Sequence, residues 1–263
     1  MRPAPLYIAH LRAASADRLA AVRVILTDID GTATQAGKIP AAVIGACERL
    51  AAAGVEVIPV TGRSAGEALG LVRYVPTWRR AIAENGGVVV IPDAPLEFLR
   101  ASADRARLHA AAQAIGGGGW ALAPCSAFRL TDQAWERAGR GDAELEVARA
   151  RAEGFGLCLT WSSVHIHLTT EAPDKGSAAL TLLGRDGIGA VTALAIGDAP
   201  NDEGLWQAGR VGVQVGTADV AASWARWRHR PEFAVGCGAE GWVEMAALVL
   251  GAHAAVGQPG PPR

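Results

Sequence analysis

The stretch ILTDIDGTAT, residues 25–34, decides the fold, because a run of aliphatic residues ends there on two acids. Ile25 and Leu26 are typical of a buried strand, and Asp28 and Asp30 follow at its end, one residue apart. Gly31 allows a turn sharp enough to keep both carboxylates on one side of the chain. Two acids this close repel each other, so the arrangement raises the question of what they bind.

Similar apolar strands recur along the chain and alternate with helical patterns. The segment 40–54, PAAVIGACERLAAAG, has apolar residues at helical spacing and ends at Gly54. The predicted strands are 22–28, 55–60, 81–83, 191–198 and 211–216. Continuous apolar strands alternating with helices predict an α/β fold, a doubly wound, Rossmann-like parallel sheet with helices on both faces.

The middle of the chain has a different pattern. Paired strands around a Pro-rich turn begin near Gly86, a helix is predicted over 102–115, and another begins near Asp142. This order is typical of an α+β unit with an antiparallel sheet, large enough to form a small domain. We therefore predict an α/β core from residues 1–85 and 169–263, with an α+β cap domain inserted at 86–168.

Composition limits the possible classes of function. The 263 residues carry a net charge of −1, so no global field attracts nucleic acid or an acidic membrane. Polar residues interrupt the N-terminal segment, and no stretch reaches the roughly 18 apolar residues of a membrane span. The four cysteines are scattered singly, as expected of buried thiols. We expect a soluble, cytoplasmic protein.

Four polar clusters lie where predicted core strands end or core helices begin. They are DIDGT at 28–32, TGR at 61–63, DKG at 174–176 and GDAPND at 197–202. Asp, Gly and Asn are common in ordinary turns, so one such cluster alone would mean little. Ligands bind at the carboxyl ends of strands in a doubly wound sheet, so four clusters in these positions predict one crevice.

The order and wording of these clusters resemble the haloacid dehalogenase superfamily, with its DxDGT motif, strand-terminal Thr or Ser, Lys and GDxxND. An inserted domain between the second and third motifs resembles the Cof-like branch, which includes sucrose-phosphatase-like and mannosylphosphoglycerate-phosphatase-like enzymes. The resemblance covers about residues 22–250 and includes AENGG at 83–87. It implies a phosphoric monoester hydrolase that uses magnesium. Ala33 and the Ala-Pro pair at 199–200 depart from the usual pattern without removing a functional group.

The chemistry of these residues agrees with that implication. Asp28 is ionised at neutral pH and can attack phosphorus, provided that a cation removes the repulsion between the two anions. Magnesium prefers hard oxygen ligands. The candidate ligands are Asp28, the backbone carbonyl of Asp30, Asp198, Asn201 and Asp202.

Asp30 and Lys175 complete the predicted catalytic set, and Thr61 and Gly62 are predicted to bind the phosphate of the substrate. Asp30 can protonate the leaving-group oxygen and then deprotonate the attacking water. Lys175 can place a positive charge near the phosphoryl oxygens. Thr61 offers a hydroxyl, and backbone N–H groups near Gly62 offer an anion-binding nest.

Candidate substrate-binding residues outside this set are less specific. Arg63 follows Thr61 and Gly62, Asn85 lies in AENGG, and Arg129 lies in AFRL, which we predict to be a short strand. His165 and His167 share one strand face, where they could contact substrate, bind zinc or simply face solvent.

The segment WARWRHR, 224–230, combines tryptophans with arginines and invites a nucleic-acid interpretation. The patch is short and the protein nearly neutral, so packing on the core or at a dimer contact is favoured, and no nucleic-acid or membrane partner is expected. The oligomeric state and the role of the segment before Val22 remain open.

The sequence thus predicts a Mg²⁺-dependent phosphatase of a small phosphorylated metabolite, either a sugar phosphate or a phosphorylated organic acid. The reaction would pass through an aspartyl-phosphate at Asp28. A phosphomannomutase-like phosphomutase is the enzymatic alternative, and free phosphate or an isomerised product separates the two. A non-catalytic binding module is a further alternative, and Asp28→Asn would leave its function largely intact.

Overall fold

The computed structural model describes residues 8–162 and 164–257, without the side chains of 223–226. Twelve strands are described: β1 (Ala9–His10), β2 (Val24–Thr27), β3 (Glu56–Pro59), β4 (Ala81–Ala83), β5 (Val88–Val90), β6 (Glu97–Phe98), β7 (Gln133–Glu136), β8 (Cys158–Trp161), β9 (His165–Thr169), β10 (Ala193–Gly197), β11 (Val213–Gly216) and β12 (Phe233–Ala234). The α-helices are α1 (Ala16–Ala20), α2 (Ala41–Ala52), α3 (Ala65–Tyr74), α4 (Arg105–Gly116), α5 (Asp142–Gly154), α6 (Lys175–Arg185) and α7 (Gly238–Gly257).

The core is a six-stranded parallel sheet in the order β1-β12-β11-β10-β2-β3. From β2 the chain moves to β3 on one side, while β10 pairs with β2 on the other. Thr27 lies opposite Ile196, so β2 and β10 end at the same level. The order of strands therefore reverses between β2 and β10, which is where a doubly wound sheet opens a crevice for ligands.

Helices cover both faces of this sheet, because its strands are apolar on both sides. Ile25 of β2 packs in a cluster with buried residues of α2, α3 and α7. Leu26, the next residue, points to the other face and packs with α6. Four consecutive buried residues in β2 are typical of a strand covered on both faces. The predicted doubly wound α/β core is confirmed.

Local signals set the ends of the helices beside the crevice. Gly54 adopts a φ of 77° soon after α2 ends, as predicted. Ser64 caps α3, accepting a hydrogen bond from the N–H of Glu67, whose carboxylate accepts one from the N–H of Ser64. Asp174 caps α6 through the N–H groups of Gly176 and Ser177. These caps fix the two helix starts that border the crevice.

Two antiparallel sheets lie in the middle of the chain. In the first, β4-β5-β6, Val88 and Val90 pack in the same cluster as Ala81 and the core helices. In the second, β7-β9-β8, the strands pack with α4 and α5 around Trp135 and Leu145 in a separate cluster. The second unit, three antiparallel strands with two helices, is of the α+β type expected of the inserted cap. The boundaries at 86–168 stay a prediction.

Two local predictions were wrong. AFRL is not a strand: Pro124–Phe128 form a 3-10 helix with Pro at its start, and Arg129 follows it. Cys47 is buried as expected, but Cys125 and Cys158 are half-buried and Cys237 is exposed.

The segment before Val22 packs on the core within the described residues. β1 pairs with β12, Leu11 and Leu19 are buried, and α1 packs against α7. None of the described helices has both the length and the apolar character needed to cross a membrane.

The Trp- and Arg-rich segment 224–230 is described only in part. Trp227 is buried against Trp206, with 4.7 Å between ring centroids, as expected of packing on the core. The side chains of Trp224 and Arg226 lie outside the described residues.

Candidate active site

Three carboxylates converge at the point where the strand order reverses. Asp28 follows β2, Asp198 follows β10, and Asp202 lies in the 3-10 helix after it. Each offers an oxygen within 4.8 Å of the others. Residues 170 positions apart in sequence meet because β2 and β10 are adjacent and parallel.

Lys175 connects two of these acids from the first residue of α6. Its Nζ donates at 2.6 Å to Asp28 Oδ1 and at 2.6 Å to Asp202 Oδ1, and its side chain is fully buried. Burial alone would lower the pKa of Lys175, but Asp202 and Asp28 offset this and raise the pKa above its ordinary value. The lysine therefore stays protonated.

The carboxylates carry more negative charge than Lys175 can balance. Burial raises the pKa of Asp28 to about 7, with Asp202 adding to the rise and Lys175 opposing it. Burial also raises the pKa of Asp198, to about 8, together with repulsion from Asp28 and Asp202. A divalent cation would relieve this repulsion, and carboxylate oxygens are the ligands that Mg²⁺ prefers. The residues present therefore fit a magnesium site.

Asp202 is also tied to the turn. Its Oδ2 accepts hydrogen bonds from the N–H groups of Asp198 and Ala199, both at 3.0 Å. With Oδ1 on Lys175, this carboxylate fixes the loop that carries Asp198. Asn201 Nδ2 donates to Asn85 Oδ1 at 3.0 Å, while the buried Oδ1 of Asn201 has no partner among the described residues.

The turn after β2 is shaped to receive Asp198. Thr32 Oγ1 donates to Asp198 Oδ1 at 2.6 Å. Gly31 has a φ of 85°, and a Cβ there would lie 2.4 Å from Asp198 Oδ2. A side chain at position 31 would displace the carboxylate. Glycine is therefore required there both by the positive φ and by the lack of space.

Arg63 holds the predicted acid and base. Its Nε donates to Asp30 Oδ2 at 2.8 Å and its Nη2 to Asp30 Oδ1 at 2.6 Å. Its Nη1 donates to Glu67 at 2.9 Å. In this arrangement both oxygens of Asp30 are engaged by a guanidinium that lines the crevice.

The predicted phosphate-binding turn lies at the end of β3. Thr61 is buried, and its Oγ1 accepts a hydrogen bond from the N–H of Arg63 at 3.1 Å. The N–H of Asn85 donates to the carbonyl of Thr61 at 2.9 Å, and Gly62 lines the crevice. The turn thus lies beside Asp28 and Asp30, which line the same cavity.

The cap supplies the opposite wall of that cavity. His165 and His167 lie on the face of β9 opposite the buried Ile166 and Leu168, and both line the cavity with Arg129. Burial lowers the pKa of both imidazoles, and that of His167 falls to about 4. Among the three earlier alternatives for this face, the structure favours a polar face turned towards the crevice.

Sequence reasoning missed several residues of this region. Asp132 is fully buried between Arg129 and His167, and Glu84 is fully buried beneath residues 129–131. The one signal in the sequence was closeness to residues already chosen as candidates: Asp132 is three positions after Arg129, and Glu84 precedes Asn85. No periodic pattern marks them, because their partners come from distant parts of the chain.

Comparison with known proteins places this arrangement among haloacid dehalogenase-like hydrolases, whose family model matches residues 25–107. A phosphoglycolate phosphatase of Methanoculleus marisnigri is 30% identical over 77% of this chain and 89% of its own length. A phosphoglycolate phosphatase of Halobacterium salinarum is 31% identical over 76% of this chain and 87% of its own length.

Solved structures share the fold at lower identity. A Thermoplasma acidophilum protein has a TM-score of 0.72 at 17% identity, covering 87% of this chain and 99% of that one. The sucrose-phosphatase of Synechocystis sp. PCC6803 has a TM-score of 0.59 at 19% identity, covering 86% of this chain and 97% of that one. Such likeness extends over both the sheet and the inserted unit.

Proposed function

The chain belongs to the haloacid dehalogenase superfamily, in its Cof-like branch, and we propose that it is a magnesium-dependent phosphatase of a small phosphorylated organic acid. The observation that carries this proposal is the cluster of Asp28, Lys175, Asp198 and Asp202 at the switch point of the sheet. The cluster joins a nucleophilic carboxylate, a fixed positive charge and a set of oxygen ligands in one place.

Asp28 is the proposed nucleophile. Lys175 orients it through Oδ1, and no described residue hydrogen-bonds its second oxygen. That oxygen attacks phosphorus, and the bond between phosphorus and the leaving-group oxygen breaks as the aspartyl-phosphate forms. The positive charge of Lys175 favours the ionised form of Asp28 against its buried surroundings.

A magnesium ion is proposed to be held by Asp28 and Asp198, with the carbonyl of Asp30 and the amide of Asn201 as further oxygen donors. When bound, it neutralises the repulsion between the carboxylate and the phosphate. Asp202 serves this site by fixing Lys175 and the Asp198 turn.

Asp30 is the proposed acid and base. It donates a proton to the oxygen of the departing group, and in the second step removes a proton from the water that attacks the aspartyl-phosphate. Because Arg63 engages both of its oxygens in the present arrangement, Asp30 must turn away from that guanidinium to act. Thr61 and the turn at Gly62 are proposed to hold the phosphoryl oxygens meanwhile.

Of the two earlier substrate classes, we propose the phosphorylated organic acid. This choice rests on the chemistry of the cavity wall and on the relatives named phosphoglycolate phosphatase.

One basic group of the wall agrees with an acidic leaving group. Arg63 is half-buried and lines the cavity, and it becomes available to a second carboxylate when Asp30 turns away from it. The relatives named phosphoglycolate phosphatase support the same class of substrate. Phosphoglycolate is thus the first compound that we would test.

The test measures phosphate release from phosphoglycolate, 3-phosphoglycerate and glucose 6-phosphate, with and without Mg²⁺. We expect release from phosphoglycolate that requires Mg²⁺, and a fall of about 10⁴-fold or more in kcat for Asp28→Asn, because loss of a catalytic nucleophile has effects of that order. Asp17→Asn, which changes an exposed acid on α1, is the control and should keep full activity.

Three outcomes would contradict the proposal. Release that persists in Asp28→Asn would exclude the aspartyl-phosphate route. Isomerised sugar phosphate without free phosphate would identify the mutase. Binding of phosphoglycolate without turnover, unchanged in Asp28→Asn, would identify a binding module.

A further inference from the structure

Arg129 joins the cap to the core through a buried hydrogen bond. Its Nη2 donates to the carbonyl oxygen of Gly62 at 2.8 Å, and the residue is fully buried although it carries a charge. Gly62 belongs to the turn to which we assign the phosphoryl oxygens. A cap side chain therefore holds the backbone of that turn directly.

The same guanidinium continues into the cap. Arg129 Nη1 donates to both oxygens of Asp132, at 2.8 and 3.0 Å, and Asp132 Oδ2 lies 3.1 Å from Nδ1 of His167. Arg129 and His167 hold the pKa of Asp132 below its usual range despite burial, so this carboxylate only accepts hydrogen bonds. The proton between them consequently lies on Nδ1 of His167, and the orientation of the imidazole is fixed.

These contacts form a continuous connection across the cavity. At one end is the carbonyl of Gly62, beside the phosphate-binding turn, and at the other is His167, in the cap wall that faces it. Arg129 and Asp132 lie between them with almost no exposed surface. The length of this connection sets the distance between the two walls.

Glu84 fixes the connection from the core side. Its carboxylate accepts hydrogen bonds from the N–H groups of Leu130 and Thr131, at 2.9 and 2.6 Å, and from the hydroxyl of Thr131 at 2.7 Å. It also accepts one from the N–H of Ala65 at the start of α3, at 3.0 Å. Glu84 holds a φ of 54°, which a residue with a side chain rarely adopts. Two buried side chains thus join core and cap: Arg129 bonds the backbone of the core at Gly62, and Glu84 bonds the backbone of the cap at Leu130 and Thr131.

A direct role for Arg129 in binding an anion is less consistent with these contacts. Its Nη1 and Nη2 are engaged by Asp132 and Gly62, and Nε, which has no partner among the described residues, is buried as well. A substrate carboxylate on Nη1 or Nη2 would compete with Asp132 or Gly62 and leave a buried polar group without its partner, which is costly. The geometry is that of a spacer.

We propose that Arg129, supported by Asp132 and Glu84, is a positioning residue that sets the distance between the two walls and so disfavours leaving groups longer than glycolate. The inference rests on the proposed phosphatase function and deepens it. The side chain touches neither substrate nor metal in this account, and it acts through Gly62 on one side and His167 on the other. A shorter or looser connection would let the cap sit farther from the turn and admit longer acids.

The decisive variant is Arg129→Lys, which keeps the charge for Asp132 but has one terminal nitrogen instead of a fork. Lysine cannot serve Gly62 and Asp132 in the same geometry. We expect kcat/KM for phosphoglycolate, relative to 3-phosphoglycerate, to fall about tenfold, the order of discrimination that one carbon gives in a pocket. Glu84→Gln should narrow the same ratio, because the amide turns a donor towards Leu130 or Thr131.

The ratio separates positioning from simple loss of stability, since a smaller folded fraction lowers both activities equally. Arg80→Lys is the matched control: Arg80 also joins two acids, Glu56 and Asp186, but away from the cavity, and it should leave the ratio unchanged. Asp132→Asn, which keeps the shape of the side chain, replaces Arg129→Lys if that variant does not fold.

Each outcome decides the inference. A ratio that falls in Arg129→Lys and Glu84→Gln but not in Arg80→Lys supports it. A wild-type protein that prefers phosphoglycolate, with a ratio unchanged in both variants, overturns the inference and leaves the proposed function standing. Equal wild-type activity on both acids also overturns it, and a wild type that releases phosphate from neither overturns the proposed function as well.

Discussion

The two walls of the crevice treat buried charge in opposite ways. On the core wall, Asp28 and Asp202 share Lys175 while Asp198 lies beside them, and the pKa values of Asp28 and Asp198 are raised. On the cap side, Arg129 is paired with Asp132, and the pKa of Asp132 is lowered. The core wall is therefore electrostatically incomplete without a cation, whereas the cap wall is already complete. Buried acids that lack a matching positive charge indicate a site for a cation, whereas a buried charge that is already paired indicates a structural connection.

The largest effect on stability should come from removing the positive charge of the buried pair Arg129–Asp132 on the cap side. Arg129→Met leaves Asp132 buried without its cation, so we expect the free energy of unfolding to fall by about 3 to 5 kcal/mol. Urea denaturation measures this. Arg73→Met is the control, because Arg73 and Asp93 form an exposed pair worth about 1 kcal/mol at most. Equal losses in the two variants would contradict the proposed distinction between the walls.

The acid stability of the cap should depend on His167. Burial lowers its pKa from 6.5 to about 4, with Arg129 and His165 adding to the effect and Asp132 opposing it. The unfolded chain therefore binds a proton that the folded chain does not, and stability falls as the pH decreases from about 6.5 towards 4, by about 3 kcal/mol. His167→Gln should remove that part of the loss, measured as the difference between the two pH profiles of unfolding. Parallel profiles would show that His167 is protonated in the folded protein.

The contribution of Asp198, on the core wall, to the free energy of unfolding should change with pH in the opposite direction. Burial and the neighbouring acids raise the folded pKa of Asp198 to about 8, so without Mg²⁺ its contribution becomes less favourable as the pH rises from about 4 to 8. Asp198→Asn should therefore stabilise the metal-free protein, and more at pH 8 than at pH 5, because the amide carries no charge. Thermal unfolding should show that Mg²⁺ raises the Tm of the wild type but not of this variant. A variant that is less stable, and still stabilised by Mg²⁺, would disprove the assignment.

The core wall was predictable from sequence, and the cap connection was not. Asp28 and Asp198 follow apolar strands, and the rule that parallel strands end together brings them to one crevice. Lys175 lies in DKG, one of the clusters predicted at the ends of core strands or the starts of core helices, and α6 does begin at Lys175 with Asp174 as its cap. Each of these signals is local and needs only the strand order to become a site.

The residues of the cap connection depend on partners that local patterns do not reveal. Arg129 was assigned to a strand and to substrate, because an arginine between apolar residues gives no sign that Gly62 will accept its hydrogen bond. Glu84 lies in a turn with a left-handed backbone, and its contacts come from residues 63, 65, 100, 130 and 131. Such roles follow from tertiary contacts, and the sequence supplies only the residue types.

The two-residue strand β1 leaves little free backbone at its edge of the sheet for another chain to pair with. It covers the edge of the sheet beside β12, and it is too short to offer another chain a long row of free backbone groups. A shortened edge of this kind is a common protection against aggregation in sheets whose strands are otherwise continuous and apolar. Ala9 and His10 thus protect, at one end of the sheet, a core whose β-branched strands would pair readily with copies of themselves.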